Sequence, residues 1–294
     1  MMNKYRLHST VFEREREEGK SEPKKVFFLS VEGNDTEKEY FEGISNFKAE
    51  LGINALVDIE LLRKYKSDTN SAPSHVIELL EEYLELRKNG ASSDNMKDDI
   101  PKKIVDTFGE ETIDEYLNNP ASIKKEIRKR IDTELRKMSY DLNYRKYLNR
   151  YNNPNDKFAV IIDRDCDTHS VDQMKKCIDY CNEKKYSCYI SNPLFEFWLL
   201  LHVSDVENEF DIEEIKKNKK MSNTHTYVSK ALSEKVKYKH SKDKIKFAYN
   251  YKDNIDIAIQ RAKSKTFAST NDELIDNVGT NIWQLIEEMR QTIT

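Results

Sequence analysis

The chain has 294 residues, 49 of them Lys or Arg and 53 Asp or Glu, for a formal charge of −4. Global charge therefore announces no polyanion partner, and the lack of any apolar run of about 18 residues argues against a membrane span. Residues 1–24 are rich in Glu, Lys and Arg with no apolar segment, which argues against a secretory signal, and four cysteines confined to 166–188 make no disulfide framework; the expectation is a reduced, cytoplasmic protein.

Seven glycines are far below the usual share of roughly 7%, so most of the chain is expected to be helical. Residues 1–24 show no hydrophobic period and read as a mobile leader to one domain over 25–294. The run KVFFLSV (25–31) ends in Glu32-Gly33 and reads as a buried strand stopping at a turn. Asp35 or Thr36 then caps a helix with Tyr40, Phe41, Ile44 and Phe47 at helical spacing. Residues 55–62 read as a second strand, and Pro73 opens a helix carrying Val76, Leu79, Leu80, Tyr83 and Leu84.

The pattern over about 90–151 is helical but polar, bounded by Gly90 and by Asn152-Asn153-Pro154, and is taken as a helical insertion. Strand signal returns at KFAVII (157–162) and is cut off at Asp163. A helix over about 170–184, a strand over 186–190 and an apolar helix from Asn192-Pro193 to His202 follow. From about 205 to 294 only helices are predicted. Four strands, each followed by a helix, imply an α/β fold with a parallel sheet of about four strands, plus the helical insertion and a helical C-terminal part. In such sheets chemistry sits beyond the carboxyl ends of the strands.

Carboxylates stand at those ends. Asp163, Asp165 and Asp167 follow the 157–162 run, and residues i and i+2 of an extended segment share a side. Two close like charges resist joint ionisation unless a cation lies between them. Oxygen donors of this kind suit Mg2+ or Mn2+. Glu32 ends another apolar strand beside Gly33, and if the two strands are neighbours, Glu32, Asp163 and Asp165 meet as a metal-dependent phosphoryl-transfer set. Glu37, in the first turn of the first helix, is a candidate support for the metal, set against simple complementation of the helix dipole. Glu196 lies on an apolar stripe with Leu200 and Val203, where an acid needs a partner or a proton; support for the metal and plain capping stand level. Asn192 is read as an N-cap, His169 as a solvated turn residue, and Cys177 and Cys181 as core. A haloacid-dehalogenase DxDx(T/V) motif fails, because the residue four after Asp163 is Asp167 and Thr168 is out of register.

Glu-Gly after one strand and Asp-x-Asp after another resemble the TOPRIM domain of topoisomerases, primases and OLD-type nucleases. The longer strings VEGNDTEKEYFE (31–42), IIDRD (161–165) and SNPLFEFWLLLH (191–202) resemble the RloB-like family, and 256–263 and 277–285 also fit its pattern, so the likeness runs from about 25 to 290. It implies a TOPRIM-like, Rossmann-like sheet, linkage to restriction and abortive infection, a partner ATPase, and Glu32, Asp163 and Asp165 as metal and catalytic carboxylates; Asp167 is expected as a further metal ligand. Two features depart from it: no glycine follows the aspartates, and 90–151 is long. No Walker P-loop is read in the sequence, and any ATP dependence is expected to come from another chain.

Charge is distributed in blocks. Residues 78–115 hold twelve acids and five bases, 123–150 ten bases and four acids, and 216–246 eleven lysines and two acids. Tyr140, Tyr144 and Tyr147 interleave with the first basic block, and Tyr227, Tyr238 and His240 with the second. Such stripes suit phosphate backbones with aromatic faces for bases, against the plain reading of a solvated lysine-rich surface. Lys124, Lys125, Arg128, Lys129, Lys237 and Lys239 are the candidate nucleic-acid contacts. The function expected is a metal-dependent nuclease in antiphage defence, acting on DNA or RNA, tRNA included. The alternatives are a non-cleaving subunit that senses or anchors an ATPase, and a primase or nucleotidyltransferase. Self-association is compatible with the sequence.

Overall fold

The computed structural model describes residues 25–33, 35–62, 72–89, 100–119, 122–137, 154–223, 225–239 and 245–291. The leader over 1–24, both ends of the 90–151 insertion, the tyrosines 140, 144 and 147, and His240 lie outside the described residues.

In chain order the elements are β1 (Lys25–Val31), α1 (Thr36–Asn46), β2 (Val57–Leu62), α2 (Pro73–Asn89), α3 (Lys102–Phe108), α4 (Glu110–Asn118), α5 (Lys125–Lys137), β3 (Lys157–Asp163), α6 (Val171–Lys184), β4 (Ser187–Asn192) and α7 (Phe195–Val203). They continue as α8 (Val206–Glu209), α9 (Ile212–Lys217), α10 (Tyr227–Lys235), α11 (Phe247–Asn250), a 3-10 turn (Lys252–Asn254), α12 (Ile255–Ala262), α13 (Asn271–Leu274), β5 (Gly279–Thr280) and α14 (Ile282–Arg290). No helix among the described residues is long and apolar enough to cross a membrane.

The sheet has five strands in the order β2-β1-β3-β4-β5. β1 pairs in parallel with β3, Val31 opposite Ile161, and β3 pairs in parallel with β4, Asp163 opposite Ser191. The expected count of four is corrected by β5, which pairs antiparallel with β4 through only two residues, Thr280 and Gly279. Two residues carry no hydrophobic period. β5 is held by tertiary bonds instead: Asn281 Oδ1 accepts from Ile190 N–H at 2.7 Å and Asn281 N–H donates to the Ile190 carbonyl at 3.2 Å.

The described residues fall into two compact units, one drawn from 21–61, 70–78 and 155–294 and the other from 62–69 and 79–154. The first holds the sheet. Phe27, Leu29, Val31, Ala159, Ile161 and Tyr189 form one buried face, packed with residues of α1, α7 and α12. The alternate residue Cys188 meets Cys177 and Cys181 of α6, which covers the other face. Burial on both faces is why these strands read as unbroken apolar runs. The three thiols are buried core groups, as expected for Cys177 and Cys181. α7 (FEFWLLLHV) is apolar on nearly every side, Glu196 apart, and accordingly central: Phe195 and every residue from Phe197 to His202 are buried. Tyr40 of α1 packs edge-on against Phe195, Trp198, Phe247 and His202.

The second unit packs α3, α4 and α5 around Ile104, Ile113, Leu117, Ile131 and Leu135, with the Tyr116 hydroxyl donating to Asp132.

Two capping expectations are corrected. Asp35 occupies the N-cap of α1 without a side-chain bond. Asn192 is the last residue of β4, not an N-cap. Its Nδ2 donates to the Leu274 carbonyl at 2.8 Å, and a cis bond joins it to Pro193. The N-cap position of α7 falls on Leu194.

Candidate active site

Because β1 and β3 are adjacent and parallel, their carboxyl ends lie side by side. Glu32 N–H extends the ladder by donating to the Ile161 carbonyl at 3.2 Å, and Glu32 Oε2 accepts from Asp163 N–H at 3.0 Å. Glu37 enters from the first turn of α1 and is buried. Gly33 N–H donates to its Oε1 at 3.1 Å. A Cβ on Gly33 would stand 2.1 Å from Glu37 Oε2, so the absent side chain is what lets this carboxylate approach the turn. Glu196 arrives from the first turn of α7.

Electrostatics joins the four acids. Asp163 is pushed well above the usual carboxylate range, first by burial and then by the negative charges of Glu32, Glu37 and Glu196, against one Phe195 N–H that stabilises its ionised form. Glu37 is pushed up to about 7, first by burial and then by Glu196. Burial raises Glu196 as well. One strand end, one helix start, a second strand end and a second helix start thus contribute one carboxylate each.

Acids this close and this poorly solvated resist joint ionisation. A hard divalent cation is the natural complement, and its oxygen-only donors suit Mg2+ or Mn2+. The fit is one of donor chemistry: among the described residues no three His, Cys, Asp or Glu side chains form a ready metal-binding group.

A family model described as RloB-like protein matches residues 27–289. The chain belongs to the RloB-like family. No curated protein and no solved structure matches it. The matched span of this RloB-like chain includes all four clustered acids.

Asp165 and Asp167 are placed differently from the clustered acids. β3 stops at Asp163, so strand alternation does not carry through to Asp165, which takes a left-handed backbone with φ +26. Its N–H donates to the Pro193 carbonyl at 2.9 Å, and its own carbonyl accepts from His169 N–H at 2.9 Å. Asp165 is half-buried and Asp167 exposed. Neither is among the charges that act most on Asp163.

His169, expected in solvent, is instead 4% exposed. Its Nδ1 lies 3.1 Å from the Asp163 carbonyl and its Nε2 3.8 Å from Glu32 Oε1. A carbonyl only accepts, so Nδ1 carries the proton and Nε2 is the atom turned toward Glu32. Arg164, which sequence reasoning passed over, is also 4% exposed. Its Nε donates to the Ile275 carbonyl and its Nη1 to the His169 carbonyl, each at 2.6 Å, so it ties the turn after β3 to the turn after α13.

Of the basic candidates in the RloB-like chain, Lys124, Lys125 and Lys129 are exposed and Arg128 half-buried, at the start of α5. Lys237 and Lys239 are exposed after α10, with Lys239 Nζ donating to the Ser233 carbonyl at 2.6 Å.

Proposed function

We propose that this RloB-like chain is a metal-dependent nuclease, the cleaving component of an antiphage defence system that works with a partner ATPase. The observation that carries the proposal is the convergence of Glu32, Glu37, Asp163 and Glu196 at the carboxyl ends of adjacent parallel strands. The likeness of Glu32-Gly33 and Asp163-Arg164-Asp165 to a TOPRIM domain agrees with that reading, as do the two basic blocks.

Asp163, Glu37 and Glu196 would hold the cation, with Glu32 completing the acidic surround. A bound Mg2+ or Mn2+ supplies Lewis-acid charge that steadies a phosphodiester oxygen and activates water. The chain's own residues do the remainder. Asp163 N–H anchors Glu32 Oε2, and Gly33 N–H anchors Glu37 Oε1, so both carboxylates are oriented before substrate arrives. Without a cation Glu37 is pushed up to about 7 by burial and by Glu196; a bound cation would favour its ionised form. No tyrosine context marks a covalent nucleophile, so water attacks phosphorus.

The test is purified full-length chain, with and without Mg2+ or Mn2+, against end-labelled single- and double-stranded DNA, total RNA and tRNA. Metal-dependent cutting that disappears in Asp163→Asn supports the nuclease. Nucleic acid bound but left intact under every metal condition replaces it with the non-cleaving subunit.

A further inference from the structure

Tyr238 and Tyr249 are exposed, and they touch. Among the described residues the large hydrophobic side chains most open to water are Met221, Tyr238, Tyr249 and Ile257, with Tyr249 68% and Tyr238 43% exposed. Their rings lie 5.0 Å apart between centroids, tilted by 47°. Scattered surface aromatics are ordinary, but a paired one with a cationic rim is not. Lys237 Nζ sits 5.5 Å from the centre of the Tyr238 ring, and Lys239 follows on the other side of Tyr238 in sequence.

The pair is also held in place. Asn250, 2% exposed, accepts Tyr238 N–H at its Oδ1 at 3.0 Å and returns Nδ2 to the Tyr238 carbonyl at 2.8 Å. The same Nδ2 reaches the Ile245 carbonyl at 3.1 Å, and Asn250 follows Tyr249 directly in α11. A single buried amide therefore fixes the backbone of one tyrosine against the helix that carries the other. Nothing in the core needs these two rings. Their order without burial is what a preformed binding face requires, because a ligand then finds the aromatic surface already assembled.

We infer that Tyr238 and Tyr249 form a stacking platform for unpaired bases of a single-stranded nucleic acid, with Lys237 and Lys239 supplying phosphate contacts. Aromatic faces accept any base and lysines accept any phosphate, so binding is sequence-tolerant and salt-sensitive. Bases inside a duplex are already stacked and cannot present a face, so the platform selects single strands. This deepens the proposed function by naming the form of its substrate, and it is measured without cleavage so that the two can fail separately.

The experiment is fluorescence anisotropy of labelled 20-nucleotide oligo-dT and oligo-U in chelator, over a salt series, with a 20-base-pair duplex for comparison. Tyr238→Ala/Tyr249→Ala should weaken single-strand binding at least tenfold, Tyr238→Phe/Tyr249→Phe should stay within about twofold of the parent, and Tyr238→Leu/Tyr249→Leu should fall with the alanine pair. Both positions are exposed, so thermal melts of all three variants should match the parent. Undiminished binding by the alanine pair, full binding by the leucine pair, or tighter binding of duplex by the parent each overturns the platform. Loss of cutting in Asp163→Asn with oligo-dT affinity unchanged would leave it standing.

Discussion

Glu32 and Asp163, 131 residues apart, are joined by one hydrogen bond, Asp163 N–H to Glu32 Oε2 at 3.0 Å. The backbone of one acid orients the side chain of the other. This makes the end of the β1–β3 ladder and the acidic cluster a single construction.

Removing that acceptor should cost stability that removing its charge does not. Glu32→Gln keeps an oxygen for Asp163 N–H, whereas Glu32→Ala leaves the N–H unpaired. The alanine variant should unfold at lower urea than the glutamine variant, by about 1–2 kcal/mol at pH 7.5. Both are neutral, so charge relief cancels from the comparison. Equal midpoints would mean the bond contributes nothing.

Glu37 should destabilise the fold at high pH. Its folded pKa is raised from 4.5 to about 7, so the penalty is absent below pH 4.5, grows between 4.5 and 7, and is complete above 7. Glu37→Gln should therefore gain on the order of 2–3 kcal/mol at pH 8, an advantage that vanishes by pH 4.5. Urea midpoints of both proteins at the two pH values measure it. A gain of equal size at both would assign the effect to packing. Asp163→Asn should behave with the same sign.

His202 has the opposite sense. Its Nδ1 bonds the Trp198 carbonyl at 2.9 Å and its Nε2 meets the Tyr40 hydroxyl at 3.1 Å, a buried chain that uses the neutral ring. Burial lowers its pKa from 6.5 to about 3, so its stabilisation is present above pH 6.5 and is lost as pH falls toward 3. His202→Phe should cost about 2 kcal/mol at pH 7.5, from the stranded Tyr40 hydroxyl. Between pH 6.5 and 5 the gap to the parent should shrink by about 2 kcal/mol. A gap independent of pH would show that His202 does not titrate with unfolding.

Two glycines should respond differently to alanine. At Gly33 the new Cβ meets the end of a side chain, Glu37 Oε2 at 2.1 Å, which can swing away. At Gly279 it meets backbone, the Ala268 carbonyl oxygen at 2.0 Å, which cannot. Gly33→Ala should lower thermal stability little while abolishing cleavage. Gly279→Ala should cost about 3 kcal/mol. A reversed order would contradict the packing around both.

Reversing Lys124, Lys125 and Arg128 to Glu should weaken nucleic-acid binding and flatten its dependence on salt, with the circular dichroism spectrum unchanged. Lys124 and Lys125 are exposed and Arg128 half-buried. Unchanged affinity across the salt series would return this block to ordinary solvated surface.

The sequence alone located β1 to β4, the start of α2 at Pro73, and Glu32 and Asp163 at strand ends. These follow from local chemistry: an apolar run buried on both faces looks apolar throughout, and proline and glycine punctuate it. Only the tertiary structure decided which strands are neighbours, and hence that Glu32 meets Asp163. It also decided that Glu37 and Glu196 join them while β3 ends before Asp165. His169 shows why. Its nearest sequence neighbours are polar turn residues that suggest solvent, yet Arg164 and the ends of β1 and β3 enclose it. Burial is set by what packs against a residue from distant parts of the chain, and no local window records that.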